Sequence, residues 1–275
     1  MDLRKRALQW LVMPLRLRTA LSYCSGRMVQ VVLWLFNSRE HTNFTYHLTD
    51  LNRRYLAHFL GVVCNQSPEI MEGYLREVLE DEQLYAHICR LTRESPRSFL
   101  ADDEPRYARR IGWYAIVRAI KPAVVVETGV DKGLGSCVLT AALMKNRKEG
   151  HLGNFYGTDI NPKAGYLLQA PYDAFGKILY GDSIESLIKL DATIDLFIND
   201  SDHSILYEIR EFETVTPKLS PKAIVIGDNS HFSDKLLEFA AHTNRNFLYF
   251  QEQPADHWYP GAGIGVAYPR NFGQD

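Results

Sequence analysis

Cysteine is scarce in this sequence: four residues in 275, Cys24, Cys64, Cys89 and Cys137, with no CxxC pair and no zinc-ligand spacing. A disulfide framework is therefore excluded as the source of stability, and a reducing compartment is expected. Long apolar runs are missing as well. The stretch 28–36 has nine residues, too few to span a bilayer. A basic cluster followed by apolar residues gives the N-terminus the outline of a signal peptide. Pro14, Arg16 and Arg18 break that run, however, and no small-residue cleavage site follows. A cytoplasmic chain without a transmembrane helix is the expectation. There is no excess of one charge: 31 Lys and Arg against 33 Asp and Glu give a net charge of −2, so no global electrostatic footprint of a nucleic-acid binder exists. Internal repeats and low-complexity segments are also absent.

What is present is enough to bury a real core, with 46% hydrophobic and 23% charged residues. The length suits one α/β domain with an appendage or two small domains. Three zones can be marked. Residues 1–40 are basic and amphipathic; over residues 1–39, Arg4, Lys5, Arg6, Arg16, Arg18, Arg27 and Arg39 stand against the single acid Asp2. Such a segment either packs its apolar face on its own domain or lies on an anionic membrane or a partner. Residues 41–104 form a helical zone, with Leu48, Leu51, Tyr55, Leu56, Phe59 and Leu60 at helical spacing and Ser67-Pro68 as a helix start.

In the third zone, residues 105–275, a further helix ends near Lys121-Pro122. The pattern then changes to short β-rich runs at 123–128, 154–160, 177–180, 194–199 and 223–226, with helical stretches after the first and the fourth. Continuous Val/Ile/Phe runs separated by helices predict a buried parallel sheet. Two last runs, 246–251 and 263–268, lack a helix between them and predict an antiparallel hairpin at the sheet edge.

Chemistry concentrates at the ends of these runs. Val124 to Ser136 reads as strand, glycine turn and helix start, with Gly129, Gly133 and Gly135 spaced Gly-x-x-x-Gly-x-Gly. Gly129 permits a sharp turn, and the other two remove side chains where a ligand or a neighbouring backbone approaches. The spacing is neither the dinucleotide fingerprint nor a P-loop. A tight strand-helix connection would explain the glycines alone. Asp159 ends the next run, where a carboxylate can accept both hydroxyl protons of a ribose. Asp182 ends the third, where an acceptor can meet an adenine amino group. Either aspartate alone would pass for a loop cap; three such features at successive strand ends point to a nucleoside ligand.

The series Glu-Thr-Gly-x-x-x-Gly-x-Gly-Ser, Gly-Thr-Asp, Gly-Asp-Ser-x-Glu and Asp-x-Asp-His resembles class I S-adenosylmethionine-dependent methyltransferases over residues 105–268. The resemblance implies an α/β fold: a Rossmann-like, doubly wound, seven-stranded sheet, mostly parallel, with an antiparallel C-terminal hairpin and a helical N-terminal extension. It implies S-adenosyl-L-methionine as cofactor, held by Glu127, Thr128, Gly129, Gly133, Gly135, Ser136, Asp159, Asp182 and Ser183. Glu127 and Gly129 would meet the methionine part, Asp159 the ribose and Asp182 the adenine region.

The fourth and fifth strands end in Asp200-Ser201-Asp202-His203 and Asp228-Asn229. In the expected sheet order both ends flank the first strand. Asp200, Asp228 and Asn229 then offer three hard oxygen ligands that suit Mg²⁺. This arrangement is similar to the catechol and caffeoyl-coenzyme A O-methyltransferases, in which a lysine three residues past the first aspartate serves as base. His203 stands there in this chain, and the Asp-Ser-Asp-His-Ser form also resembles bacterial sugar O-methyltransferases. The expectation is a metal-assisted O-methyltransferase for a small hydroxylated acceptor (a sugar, glycolipid precursor or natural product), with Asp200 and His203 catalytic and His203 as base. Asp202 and His203 could instead cap the next helix, and Asp228-Asn229 could be a turn.

His231 and Phe232 are expected near the same cavity, and His257, Trp258 and Tyr259 either cover the substrate or pack on the N-terminal helices. Arg106, Arg109 and Arg110 either bind an anionic group or form a solvated helix face. Two rival readings stay open. One is a nicotinamide-dependent oxidoreductase, disfavoured by the glycine spacing and by Asp159 lying 24 residues past Gly135. The other is a non-catalytic cofactor-binding protein docked through its basic N-terminus.

Overall fold

A computed structural model describes residues 8–42, 44–228 and 230–270. Residues 1–7, and with them Arg4, Lys5 and Arg6, lie outside the described set, as does Asn229. The first long element is helix α1 (Met13–Asn37), none of whose residues is buried. A two-residue strand, β1 (His47–Leu48), follows in a zone the sequence reads as wholly helical. Next come α2 (Asp50–Cys64), α3 (Pro68–Leu79) and α4 (Glu82–Glu94). Each starts on a side-chain cap: Thr49 accepts from the Asn52 N–H, Ser67 from that of Ile70 and Asp81 from that of Leu84. Pro68 occupies the first turn of α3, where no backbone donor is needed. Helix α5 (Arg110–Ile120) ends at Lys121 in the left-handed conformation, just before Pro122.

The remainder alternates strand and helix. The elements are β2 (Val124–Thr128), α6 (Leu134–Lys148), β3 (Asn154–Asp159), β4 (Gly176–Tyr180), α7 (Ser183–Lys189), β5 (Ile194–Asn199), α8 (Ile205–Val215), β6 (Leu219–Gly227), α9 (Lys235–His242), β7 (Arg245–Gln251), β8 (Pro254–Ala255) and β9 (Gly263–Pro269). Helices thus follow β4 and β6 too, which the apolar pattern does not signal: α7 spans only seven residues and α9 eight.

Seven strands form one sheet in the order β4-β3-β2-β5-β6-β9-β7. The first five are parallel, and β9 runs antiparallel between β6 and the edge strand β7. Chain direction from β2 goes one way to β3 and β4 and the other way to β5 and β6. The switch falls between β2 and β5, and the crevice beyond the strands' carboxyl ends opens there. Both sheet faces are covered. Val125, Leu196, Ile198, Ile224 and Val266 share one apolar cluster with Leu56, Leu60, Trp113 and Cys137. The alternate residues Val126, Phe197, Val225 and Ala267 pack with Leu187, Phe212, Leu236 and Phe239. This two-sided burial explains why the strands read as unbroken apolar runs. The N-terminal helices α2, α3 and α5 therefore share a core with the sheet.

A second, two-stranded sheet pairs β1 with β8 in antiparallel fashion, His47 opposite Ala255. It ties the segment before α2 to the loop between β7 and β9.

Candidate active site

A cavity of about 700 Å³ lies beyond the carboxyl ends of β2, β3, β4, β5 and β6. Its floor begins at Glu127, 2% exposed, whose Oε2 accepts from Ser136 Oγ at 2.7 Å. Burial pushes its carboxyl up to about 8, against the opposing Ser136 hydrogen bond and Arg110 charge. Gly135 makes room for this carboxylate: a Cβ there would lie 2.1 Å from Glu127 Oε1 and 2.8 Å from the Trp113 ring. Gly129 turns the chain at φ +80°, and a Cβ on it would stand 2.0 Å from the Asp200 carbonyl oxygen. The turn glycine thus lets β2 and β5 end side by side.

Asp159 lines the cavity while capping two turns: its Oδ2 accepts from the Asp131 N–H at 3.0 Å and its Oδ1 from that of Asn161 at 2.8 Å. Asp182 also lines it, caps α7 through the Glu185 N–H at 3.0 Å and accepts from Tyr207 Oη at 2.8 Å. The Glu185 N–H, with Tyr207 assisting against a smaller burial effect, holds its carboxyl below the usual range. The cap and ligand readings are thus compatible, since each carboxylate oxygen keeps a free lone pair.

Thr128 and Ser136, expected to touch a cofactor, do not line the cavity. Thr128 turns to the other face of the sheet, where the fully buried Glu211 accepts from Thr128 Oγ1 at 3.3 Å, from Ser201 Oγ at 2.8 Å, and from Ser183 and Asn199. Ser183 reaches the cavity and also serves this carboxylate. Glu211 is a structural knot joining β2, β5, α7 and α8, and burial raises its carboxyl.

At the other end Asp200, Asp228, His203 and His231 meet. Asp228 is 4% exposed, and Arg109 grips both its oxygens through Nε and Nη2. Arg109 itself is 8% exposed; its backbone N–H donates to Glu252 Oε1 at 2.7 Å, and Tyr46 Oη donates to Glu252 Oε2 at 2.9 Å. Arg110 reaches Asp200 at 4.0 Å and lies over the Trp113 ring at 5.3 Å. Burial and the Asp228 charge drive the Asp200 carboxyl well above its ordinary value, the two arginines opposing. Burial works on Asp228 in the same direction, but Arg109 overrides it and holds this carboxyl low. Of the basic group before β2, then, Arg106 pairs with Asp102 and Glu104, whereas Arg109 and Arg110 turn inward.

This geometry bears on the expected metal. The guanidinium of Arg109 sits in bidentate contact with the carboxylate that a cation would need. No group of three His, Cys, Asp or Glu side chains able to hold a metal forms among the described residues. Asp200 and Asp228 do not fit a Mg²⁺ site while Arg109 fills this place.

His203 is exposed at the cavity mouth. Asp202 caps the following turn, its Oδ1 accepting from the Ser204 N–H at 2.8 Å. His231 is half-buried, and neither of its ring nitrogens has a hydrogen bond of normal geometry among the described residues. Burial lowers its pKa, partly offset by Asp228. Of the aromatic loop, Tyr259 lines the cavity with Phe44, whereas Trp258 stacks edge-on against Phe44 at 5.1 Å and Trp34 of α1 at 5.4 Å.

Residues 126–230 match the family model of a methyltransferase domain. No curated protein matches the sequence. Among solved structures, the SAH-bound methyltransferase PaMTH1 of Podospora anserina is similar at 15% identity and a TM-score of 0.50, over 69% of this chain and 88% of that one. A Klebsiella pneumoniae protein provisionally named an O-methyltransferase is similar at 14% identity and a TM-score of 0.50, covering 72% of this chain and 94% of its own. The O-methyltransferase TomG of Streptomyces achromogenes, in complex with SAM, gives 17%, 0.49, 70% and 91%. For the first two, at these identities, the likeness is one of fold.

Proposed function

We propose that this chain, which carries a methyltransferase domain on the class I S-adenosylmethionine-dependent methyltransferase fold, moves a methyl group from S-adenosylmethionine to a hydroxyl oxygen of a small acceptor. The observation that carries this reading is the division of one cavity. Glu127, Gly129, Asp159 and Asp182 line the part that follows β2, β3 and β4, and Asp200, His203 and His231 line the part that follows β5 and β6. The first group suits a cofactor with an ammonium, a ribose and an adenine. The second suits the oxygen that receives the methyl.

In the reaction the acceptor oxygen attacks the sulfonium methyl in line. The O–CH₃ bond forms as the S–CH₃ bond breaks, the sulfur keeps the bonding pair, and the hydroxyl proton passes to His203. Holding both partners in one cavity supplies much of the rate, because near-contact alignment replaces a bimolecular encounter. Arg109 and Arg110 supply fixed positive charge beside Asp200 and Asp228, the place at which the expected metal would have stood. His231 is a second candidate for the proton, favoured by its place on the cavity and a pKa that burial keeps low, so that its ring is neutral and able to accept.

Thermal-shift titration tests the cofactor: S-adenosylhomocysteine should stabilise the chain, by about 2.7 kcal/mol at a hundredfold excess over Kd, and Asp159→Ala should remove most of that shift. Stabilisation by NADH instead would move the chain to the oxidoreductase reading.

A further inference from the structure

Apart from its last turns, where Trp34 packs on the body, helix α1 is left uncovered by the fold. Its 25 residues include no buried one, and at 1.5 Å per residue they extend for about 37 Å. Leu17, Leu21, Cys24, Met28, Val32 and Leu35 follow the helical repeat along one side, and the first and last are five turns apart. The large side chains of this stripe are 51–63% exposed. Arg18 flanks the stripe on one side, and Arg16 and Arg27 on the other. From residue 8 to residue 38 the chain contains no Asp or Glu.

We propose that α1 docks the protein on an anionic lipid surface, its apolar stripe buried at the headgroup boundary and its arginines among the phosphates. Charge selects this occupant. A second copy seated on the stripe would bring arginine against arginine, with no acidic residue on either helix to neutralise them. Insertion across the bilayer is no alternative for α1, because no helix among the described residues is long and apolar enough to cross a membrane. A basic helix rich in exposed apolar side chains, lying in the plane of the interface, satisfies both constraints. Attachment to the body is firm. Trp34 packs on Phe44 and Trp258 at 5.6 and 5.4 Å, Ser38 Oγ donates to Asp102 at 3.0 Å, and the Arg39 N–H donates to the same carboxylate at 2.8 Å. Phe44 also lines the active-site cavity. Docking would therefore hold the cavity mouth close to the lipid surface. The inference is independent of the methyl-transfer reading.

The test is co-sedimentation of the full chain with phosphatidylcholine vesicles, with and without about one-third phosphatidylglycerol, at about 0.1 M salt, where the screening length is ~10 Å. The wild type should pellet with the anionic vesicles, and its tryptophan emission should shift to the blue as the exposed Trp10, three residues before α1, enters the interface. Arg16→Gln, Arg18→Gln and Arg27→Gln combined should weaken this binding roughly a hundredfold, each arginine near an anionic surface being worth about a factor of five. Leu17→Ser, Leu21→Ser, Met28→Ser and Leu35→Ser combined should abolish it. All seven positions are exposed, so the melting temperature and the response to S-adenosylhomocysteine should stay as in the wild type; this separates lost docking from lost folding. The proposal is overturned if the wild type stays in the supernatant with anionic vesicles or pellets equally with neutral ones. It is also overturned if the serine variant pellets like the wild type, or if light scattering shows a dimer that only the serine variant loses.

Discussion

Replacing Glu127 by Gln should make the empty protein more stable and at the same time cost it its cofactor. The carboxyl is buried at the cavity floor, its pKa raised from 4.5 to about 8. In the unfolded chain it ionises near its ordinary value, so the folded state takes up a proton between about pH 4.5 and 8. The group's stabilising contribution is fully present below about pH 4.5 and is lost as pH rises to about 8. At pH 7 the loss is about 2.5 pK units, or about 3 kcal/mol at 1.36 kcal/mol per unit. Glutamine keeps the shape and an acceptor for Ser136 Oγ but cannot ionise. Glu127→Gln should therefore melt roughly 6–12 °C higher than the wild type at pH 7, at about 2–4 °C per kcal/mol for a chain of this size. The gain should shrink towards zero near pH 4.5.

In the wild type, a cofactor ammonium placed against Glu127 would ionise it. Calorimetry at pH 6.5 in buffers of different ionisation enthalpy should then count close to one proton released per S-adenosylhomocysteine bound. Glu127→Gln should release none and bind at least tenfold more weakly. A stability gain independent of pH, or unchanged cofactor affinity in the variant, would refute the reasoning.

Three further outcomes are expected. Arg109→Ala leaves the buried Asp228 carboxylate without its partner and should cost roughly 3–5 kcal/mol in chemical denaturation; Mg²⁺ should stabilise this variant and leave the wild-type melting temperature unmoved. Gly129→Ala should be far more damaging than Gly150→Ala. Both have positive φ, worth about 1–2 kcal/mol, but only the first meets backbone, at 2.0 Å, whereas the second meets nothing within 4 Å. His203→Ala should lower methyl transfer by about 10²–10⁴ with S-adenosylhomocysteine affinity unchanged; the same loss in His231→Ala alone would transfer the base role to His231.

How far the sequence could be read depended on whether its signals were local. The seven strands stood out because both faces of the sheet are covered and leave apolar runs such as Val124–Thr128. That Asp159 and Asp182 lie on one cavity was legible for a related reason: in a parallel sheet, the residues just past each strand share one end of the molecule. Helices α7 and α9 were lost because seven or eight residues carry barely two turns of periodicity. The pairing of β1 with β8 joins residues more than two hundred positions apart through two residues per strand, and nothing in either dipeptide announces it. Thr128 was misplaced by the alternation of a strand: its neighbour Glu127 faces the cavity, so Thr128 must face the other way. Glu211 did leave a trace. It lies within the apolar stripe of α8 beside Phe212 and Val215, and a carboxylate in such a stripe signals a buried hydrogen-bond knot.

The acidic centre shows where reading by strand ends stops. In the sequence Asp200, Asp228 and Asn229 read as a set of oxygen donors, and such a set by itself calls for positive charge without saying which kind. A divalent ion is one answer, and a guanidinium of matching width is the other. The deciding residue, Arg109, lies 119 positions before Asp228. It is held at the start of α5 by Glu252, which in turn is fixed by Tyr46, so residues from three distant parts of the chain set the sign and shape of the site. A local clue existed in the sequence: Arg109 and Arg110 open a helix, RIGWYAIVRAI, whose residues 111–118 are all buried. A helix buried to that depth has little solvated face to offer its first two arginines. Such arginines need carboxylates, and the sheet topology brings those past β5 and β6, Asp200 and Asp228, to that end.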